Sequence, residues 1–183
     1  MSKSNLTWDA IRNGRVKVAT ESTFRAAPGA RRARSMAVPG QRELLSFRLA
    51  GEEYALDILR VREIIKVGAF TEVPRAPAFV PGILSVRGTI VPVIDLRMRL
   101  RLPVEPPGKL ARILITTKDG DPYGLLVDEV RHVERLLPED IEPPPPFIGG
   151  ALAEFLSGIG RTEGKLLILL NLDAVLSFEV IQK

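Results

Sequence analysis

The chain has 183 residues, 45% hydrophobic and 26% charged, a composition ordinary for a soluble globular protein. It has no cysteine, which excludes a disulfide framework, and no apolar run near the ~18 residues of a membrane helix. Its formal charge of +4 is concentrated: residues 1–41 hold eight Lys/Arg against Asp9 and Glu21, while the rest is slightly acidic and has no basic stripe that would track a nucleic-acid backbone.

In chain order, residues 1–41 read as a basic, disordered arm with few large apolar residues. A short helix is expected at Thr7–Arg12, with Thr7 as N-cap and Trp8 and Ile11 on one face. The arm lacks the apolar core of a signal peptide, and the absence of cysteine suits the cytoplasm, the expected location. From Leu44 the pattern changes to short strands with turn punctuation. Leu44–Leu49 and Tyr54–Ile58 flank Ala50-Gly51-Glu52-Glu53, read as a four-residue hairpin loop. Val61–Val67 reads as a strand, and Thr71–Pro81, with three prolines, as irregular chain. Ile83–Arg87 and Ile90–Ile94 flank Gly88-Thr89, a tight hairpin signal. Pro92 inside the second of these implies an edge or a bulge, and Asp95 caps a short helical turn, Leu96–Leu100.

After a seam at 103–108 the scheme repeats: Arg112–Thr117, a turn at Asp119-Gly120, Tyr123–Val127, Val130–Leu137, the Pro143–Pro146 run, Ile159–Thr162, a turn at Glu163-Gly164 and Leu166–Leu172. The repeat is residue by residue. At an offset of 69, Gly51 meets Gly120, Tyr54 meets Tyr123, Leu56 meets Leu125 and Val61 meets Val130. At an offset of 76, Gly82 meets Gly158, Gly88 meets Gly164, Leu96 meets Leu172 and Leu100 meets Leu176. The proline run with Gly149-Gly150 accommodates the difference. Short strands at ~8–12-residue spacing with little helix predict an all-β protein: two five-stranded barrels related by internal duplication. The expected units are a first barrel at about 42–102 and a second at about 109–178. Each is marginal alone, so they should share apolar surface.

No catalytic constellation is present. His132 is the only histidine and reads as a polar position on its strand, without the partners a metal site or a Ser-His-Asp relay needs. Gly158–Gly164 lacks the spacing and the following helix of a dinucleotide loop. Asp57, Asp95 and Asp128 each end an apolar strand. Asn171 replaces Asp95 in the second copy, and an amide serving equally well points to capping. No enzyme, cofactor or metal is expected.

Other features suit binding. Arg87-Gly88-Thr89 becomes Glu163-Gly164-Lys165 in the second copy; the turn demands the glycine but not the arginine. An Arg on a rigid turn presents a planar fork for a carboxylate, either Glu63 of this chain or one on a partner. Gly82 and Gly124 are either backbone necessities or places where a partner helix approaches closely. Phe70 and Val73, in a loop bounded by Gly68 and Pro74, and Phe147, after four prolines, are either core or exposed anchors.

Three stretches together resemble the CheW-like domain of bacterial chemotaxis coupling proteins: Gly51-Glu52-Glu53-Tyr54-Ala55-Leu56-Asp57-Ile58, Val73-Pro74-Arg75-Ala76-Pro77-Ala78-Phe79-Val80-Pro81-Gly82-Ile83 and Arg87-Gly88-Thr89-Ile90-Val91-Pro92-Val93-Ile94-Asp95-Leu96-Arg97. Gly124–Val130 and Leu166–Leu172 agree, and the resemblance spans roughly residues 43–178. It implies two SH3-like barrels and a non-enzymatic adaptor. The implied partners are the cytoplasmic tip of methyl-accepting chemoreceptors, the regulatory domain of the histidine kinase CheA, and other coupling-protein copies in a signalling array. Membrane association is then through receptors alone. Carried over by position, the receptor-facing set is Val61, Glu63, Gly82, Arg87, Ile113 and Gly124, lying on both copies and so expected along the groove between the barrels. The kinase-facing set is Phe70, Val73 and Ile90, with a second contact at Glu142 and Phe147. Glu142 departs from the family pattern, where a basic residue stands, so its partner should differ in charge or the contact is lost. Ser85 stands where the family usually has Asn. Two other readings stay open: a chemosensory pathway that controls surface motility or development, and, through the basic arm, a nucleic-acid-binding barrel.

Overall fold

The computed structural model describes residues 38–178, so the expectations for the arm up to residue 37, including the Trp8 turn, lie outside the described residues. The strands are β1 (Arg42–Leu49), β2 (Glu52–Asp57), β3 (Val61–Lys66), β4 (Gly82–Val86), β5 (Thr89–Asp95), β6 (Arg112–Lys118), β7 (Asp121–Val127), β8 (Glu129–Leu136), β9 (Ile141–Glu142), β10 (Leu156–Thr162) and β11 (Lys165–Leu170). Two single-turn helices follow the last long strand of each copy, α1 (Leu96–Arg99) and α2 (Leu172–Val175). The all-β, two-barrel architecture is as expected.

Four two-residue turns join the hairpins: Ala50-Gly51, Arg87-Gly88, Asp119-Gly120 and Glu163-Gly164. Both residues of each have positive φ, the type I′ geometry whose twist matches the flanking strands. The first turn is shorter than the expected four residues because Leu49 already pairs with Glu52 and Arg48 with Glu53.

The sheets do not follow the two halves of the sequence. One sheet runs β3-β6-β7-β5-β4 and the other β8-β1-β2-β11-β10-β9. The β6–β7 hairpin of the second copy thus lies between β3 and β5 of the first, and the β1–β2 hairpin of the first lies between β8 and β11 of the second. Each barrel is completed by the other copy's leading hairpin. The division at residues 103–108 therefore separates the repeats in sequence but not the barrels in space.

This exchange explains the burial. The four exchanged strands are covered on both faces and read as near-continuous apolar runs. Along β6, Ile113 and Ile115 point into the first barrel while Leu114 points between the barrels. Along β2, Ala55 points into the second barrel while Tyr54 and Leu56 point between them. The largest apolar cluster is this shared one, built from Phe47, Leu49, Ile94, Leu96, Leu125, Val127, Phe155, Leu172 and their neighbours. Pro92 is buried on β5, an interior strand, yet the parallel ladder to β7 begins only at Val93. At Pro92 the strand pairs with β4 alone, so the edge character expected of a strand proline holds locally.

Candidate functional site

Strands β3 and β4 are the two outer strands of the five-stranded sheet, and no ladder joins them. Arg87, on the turn after β4, reaches across this gap to Glu63 on β3, Nη2 donating to Oε2 at 3.2 Å. The Arg87 side chain keeps 73% of its surface exposed and Glu63 only 26%. A single oblique contact leaves most of the guanidinium fork unused and directed to solvent.

The other positions expected to face a receptor gather on the same sheet. Val61 lies on β3, half-buried against the inter-barrel core; Gly82 starts β4, Ile113 is on β6 and Gly124 on β7. They come from both copies but, because of the hairpin exchange, from one barrel. The expectation of a set shared between two barrels is thus corrected to a set within one. Ile113 is 0% exposed and reaches no partner directly. Gly124 sits against it: a Cβ there would stand 2.7 Å from Ile113 Cγ2. At Gly82 a Cβ would stand 2.6 Å from the Thr71 carbonyl oxygen and 2.8 Å from Phe70 Cβ. Both glycines permit close internal packing. Of the six, Arg87 is exposed, and Val61 and Glu63 keep part of their surface accessible.

Gly82 matters because the β3–β4 loop docks on it. Thr71 and Ile83 exchange two backbone hydrogen bonds of 2.9 Å, which lays the loop along the free side of β4. Phe70 is then half-buried against the first barrel's interior, and Val73 is half-buried farther along the loop. Ile90 is half-buried on β5, one strand in, opposite Ser85. All three occupy the β4 side of the sheet. In the other barrel, Glu142 pairs β9 with β10 and accepts from Arg161 at 3.3 Å, so that surface carries both signs. Phe147 is 85% exposed, while its neighbour Ile148 is anchored in the inter-barrel core. Phe147 faces outward, and Phe70 is chiefly packed.

The carboxylates divide. Asp57 accepts from Leu59 N at 3.0 Å, Asp95 from Met98 N at 3.3 Å and Asn171 from Ala174 N at 3.2 Å, all as caps. Asp128 differs from its expected capping role. It takes Arg97 on α1 in a two-pronged pair, 2.9 and 2.7 Å, and accepts from Ala50 N at 2.8 Å. One carboxylate thereby ties the β7–β8 corner to α1 and to the β1–β2 turn. That hydrogen bond also holds the Arg97 pKa above its ordinary value.

Sequence reasoning missed Arg97, and two more cations with it. Arg60 donates to Asp173 on α2 at 2.8 Å and lowers the Asp173 pKa. Arg99 lies 4.7 Å from the Phe79 ring centroid and 4.6 Å from that of Phe155, and donates to the carbonyls of Ala174, Val175 and Ser177 at the end of α2. Burial pushes its pKa below the ordinary value. No local sequence signal marks these pairs, whose members are 20 to 113 residues apart. Among the described residues, no group of three or more His, Asp or Glu side chains is arranged to hold a metal, and no helix is long and apolar enough to cross a membrane.

A family model describing the CheW-like domain matches residues 43–180. The chain belongs to the CheW-like family. It is 33% identical over 140 residues to "Chemotaxis protein CheW" of Rhizobium meliloti, covering 76% of this chain and 90% of that one. With the protein of the same name from Klebsiella aerogenes it is 34% identical over 137 residues, covering 75% and 82%. With "Protein FrzA" of Myxococcus xanthus it is 30% identical over 138 residues, covering 74% and 86%. The fold resembles the solved scaffolding protein TtCheW from Thermoanaerobacter tengcongensis, with a TM-score of 0.67 and 38% identity, covering 71% of this chain and 88% of that one. The family match begins at residue 43, so it leaves the basic arm outside the CheW-like domain.

Proposed function

We propose that this CheW-like protein is a non-catalytic adaptor that couples methyl-accepting chemoreceptors to the regulatory domain of the histidine kinase CheA. It acts by placing two partners relative to one another, with no bond made or broken. Location follows from this: the protein works in the cytoplasm and reaches membrane arrays through the receptors it holds.

The observation that carries the reading is Arg87. A guanidinium held on a type I′ turn, oriented from one side by Glu63 and open on the other, is arranged to receive an acidic group of a receptor helix along β3 and the β4–β5 turn. Val61 supplies apolar contact beside it. Gly82, Gly124 and Ile113 contribute by setting the shape of the sheet beneath. Phe70, Val73 and Ile90, on the β4 side, serve the kinase. Phe147, with the Glu142–Arg161 pair, offers a second kinase contact on the other barrel. Individually weak contacts of this kind gain effective affinity when repeated in an array.

The test is Arg87→Ala in the full chain. The exposed pair with Glu63 contributes under about 1 kcal/mol to stability, so the variant should melt as the wild type does. Co-sedimentation with a receptor cytoplasmic fragment should fall by about tenfold or more while kinase binding is retained. Wild-type receptor binding by the variant contradicts the assignment.

The likeness to FrzA, a protein not named for chemotaxis, supports a second reading: the same adaptor serving a chemosensory pathway that governs surface motility or development. Deleting the gene and scoring swimming and surface spreading separately distinguishes the two.

A further inference from the structure

Six described residues other than glycine have left-handed backbone: Ala50, Arg75, Arg87, Arg101, Asp119 and Glu163. Four of them open the two-residue hairpin turns, where both residues must take positive φ. Arg101 follows α1 and closes it, the Arg101 and Leu102 amides donating to the Met98 and Arg97 carbonyls at 3.2 and 2.8 Å. Arg75 ends no helix and joins no hairpin. It is the third residue of the turn Val73-Pro74-Arg75-Ala76, closed by Ala76 N donating to Val73 O at 3.2 Å, with φ +63. Proline second, and a left-handed third residue, describe a type II turn, whose third position favours Gly or Asn.

The arginine is therefore at a position that its backbone disfavours, and no contact among the described residues compensates. Its side chain is exposed and enters no ion pair or side-chain hydrogen bond among the described residues. The turn is nevertheless held firmly. Upstream, Thr71 is hydrogen-bonded to Ile83; downstream, Val80 N donates to Pro77 O at 2.8 Å and Asp95 N to Phe79 O at 2.8 Å. A cation is thus presented from a fixed loop, two residues beyond Val73 and five beyond Phe70.

We infer that Arg75 is a recognition residue of this loop and pairs with a carboxylate on the kinase regulatory domain. The inference rests on reading Phe70 and Val73 as kinase contacts. On that surface the apolar residues supply contact area, and the guanidinium fork supplies charge selectivity and orientation. Backbone strain retained at an exposed position is then accounted for by binding, since a residue kept only for the turn would be better as Asn. Stability and recognition pull in opposite directions at this one site.

The experiment compares wild type, Arg75→Asn and Arg75→Glu as full-length proteins, measuring Tm and the Kd for the isolated kinase regulatory domain at two salt concentrations. Arg75→Asn should raise Tm by about 1–4 °C, because Asn tolerates the left-handed backbone, and yet weaken binding by about tenfold. Arg75→Glu should keep Tm near wild type, weaken binding further, and invert the salt dependence from weakening with salt to strengthening. Wild-type affinity in Arg75→Asn overturns the inference alone, as does a Tm that fails to rise. A wild-type protein that does not bind the domain at all overturns the kinase-facing reading, and this inference with it.

Discussion

Arg87 and Arg97 each pair with a carboxylate on another element, and their surroundings separate them. Arg97 is 12% exposed and bound two-pronged to Asp128, so its charge is satisfied internally and unavailable to a partner. Arg87 makes one contact from a mostly solvated position, which fixes its direction without using its donors. The same reasoning sorts the glycines. Gly82→Ala places a methyl within 2.6 Å of the Thr71 carbonyl, a backbone atom that moves only if the loop moves. It should cost about 1–3 kcal/mol in urea unfolding and, on the proposed kinase-facing role of Phe70 and Val73, also weaken kinase binding, because the displaced loop carries both. A variant with full stability and full kinase binding would show that the loop does not depend on this contact. That glycines were needed at 82 and 124 was legible from their placement on strands. What they approach was not, since Thr71 and Ile113 are neighbours only after folding.

At the scale of elements, two pairs of opposite polarity hold corresponding places in the repeat. α1 offers Arg97 to Asp128 at the β7–β8 corner, while α2 offers Asp173 to Arg60 at the β2–β3 corner. The first is largely enclosed; in the second, Asp173 remains 65% exposed and screened by water. Asp128→Ala leaves the Ala50 amide without its acceptor and strips Arg97 of its two-pronged partner, leaving it only the Pro103 carbonyl and Glu105, and should destabilise by about 1–3 kcal/mol. Asp173→Asn should cost less than about 1 kcal/mol at neutral pH. The Arg60 hydrogen bond lowers the Asp173 pKa from its ordinary 3.8. Its small contribution is therefore complete above that value and lost as the pH falls below it through the folded-state pKa. Unfolding free energy measured from pH 7 down to about 2 should show a shallower acid decline in Asp173→Asn than in wild type; parallel curves would mean the pair contributes nothing. The hairpins themselves were legible because X-Gly turns are local signals. Asp128 was read as a cap because its partners, Arg97 and Ala50, lie 31 and 78 residues away.

For the whole molecule, the duplication was visible in the sequence, since glycines and apolar residues recur at constant offsets. The hairpin exchange was not visible. Both copies carry the same alternation and the same turns, so a hairpin fits the other copy's barrel as well as its own, and pairing within or between copies leaves one pattern. The exchange has a measurable consequence. Residues 42–108 and 109–178, expressed separately, should each be unfolded by near-UV circular dichroism and hydrogen exchange, since each lacks the hairpin that completes its barrel. Mixed, they should assemble into a folded heterodimer. Independently folded halves would contradict the exchanged pairing. An assembly of this kind also places the proposed receptor surface and the proposed kinase loop on one five-stranded sheet.

That one body joins receptor to kinase is the central claim, and reconstitution tests it directly. Receptor cytoplasmic fragments and the kinase are combined with and without the full-length protein, and kinase autophosphorylation is followed. Coupling predicts strong activation that requires all three components and is lost with Arg87→Ala. Autophosphorylation that is the same whether or not the protein is present, with both partners shown to be active, would contradict it.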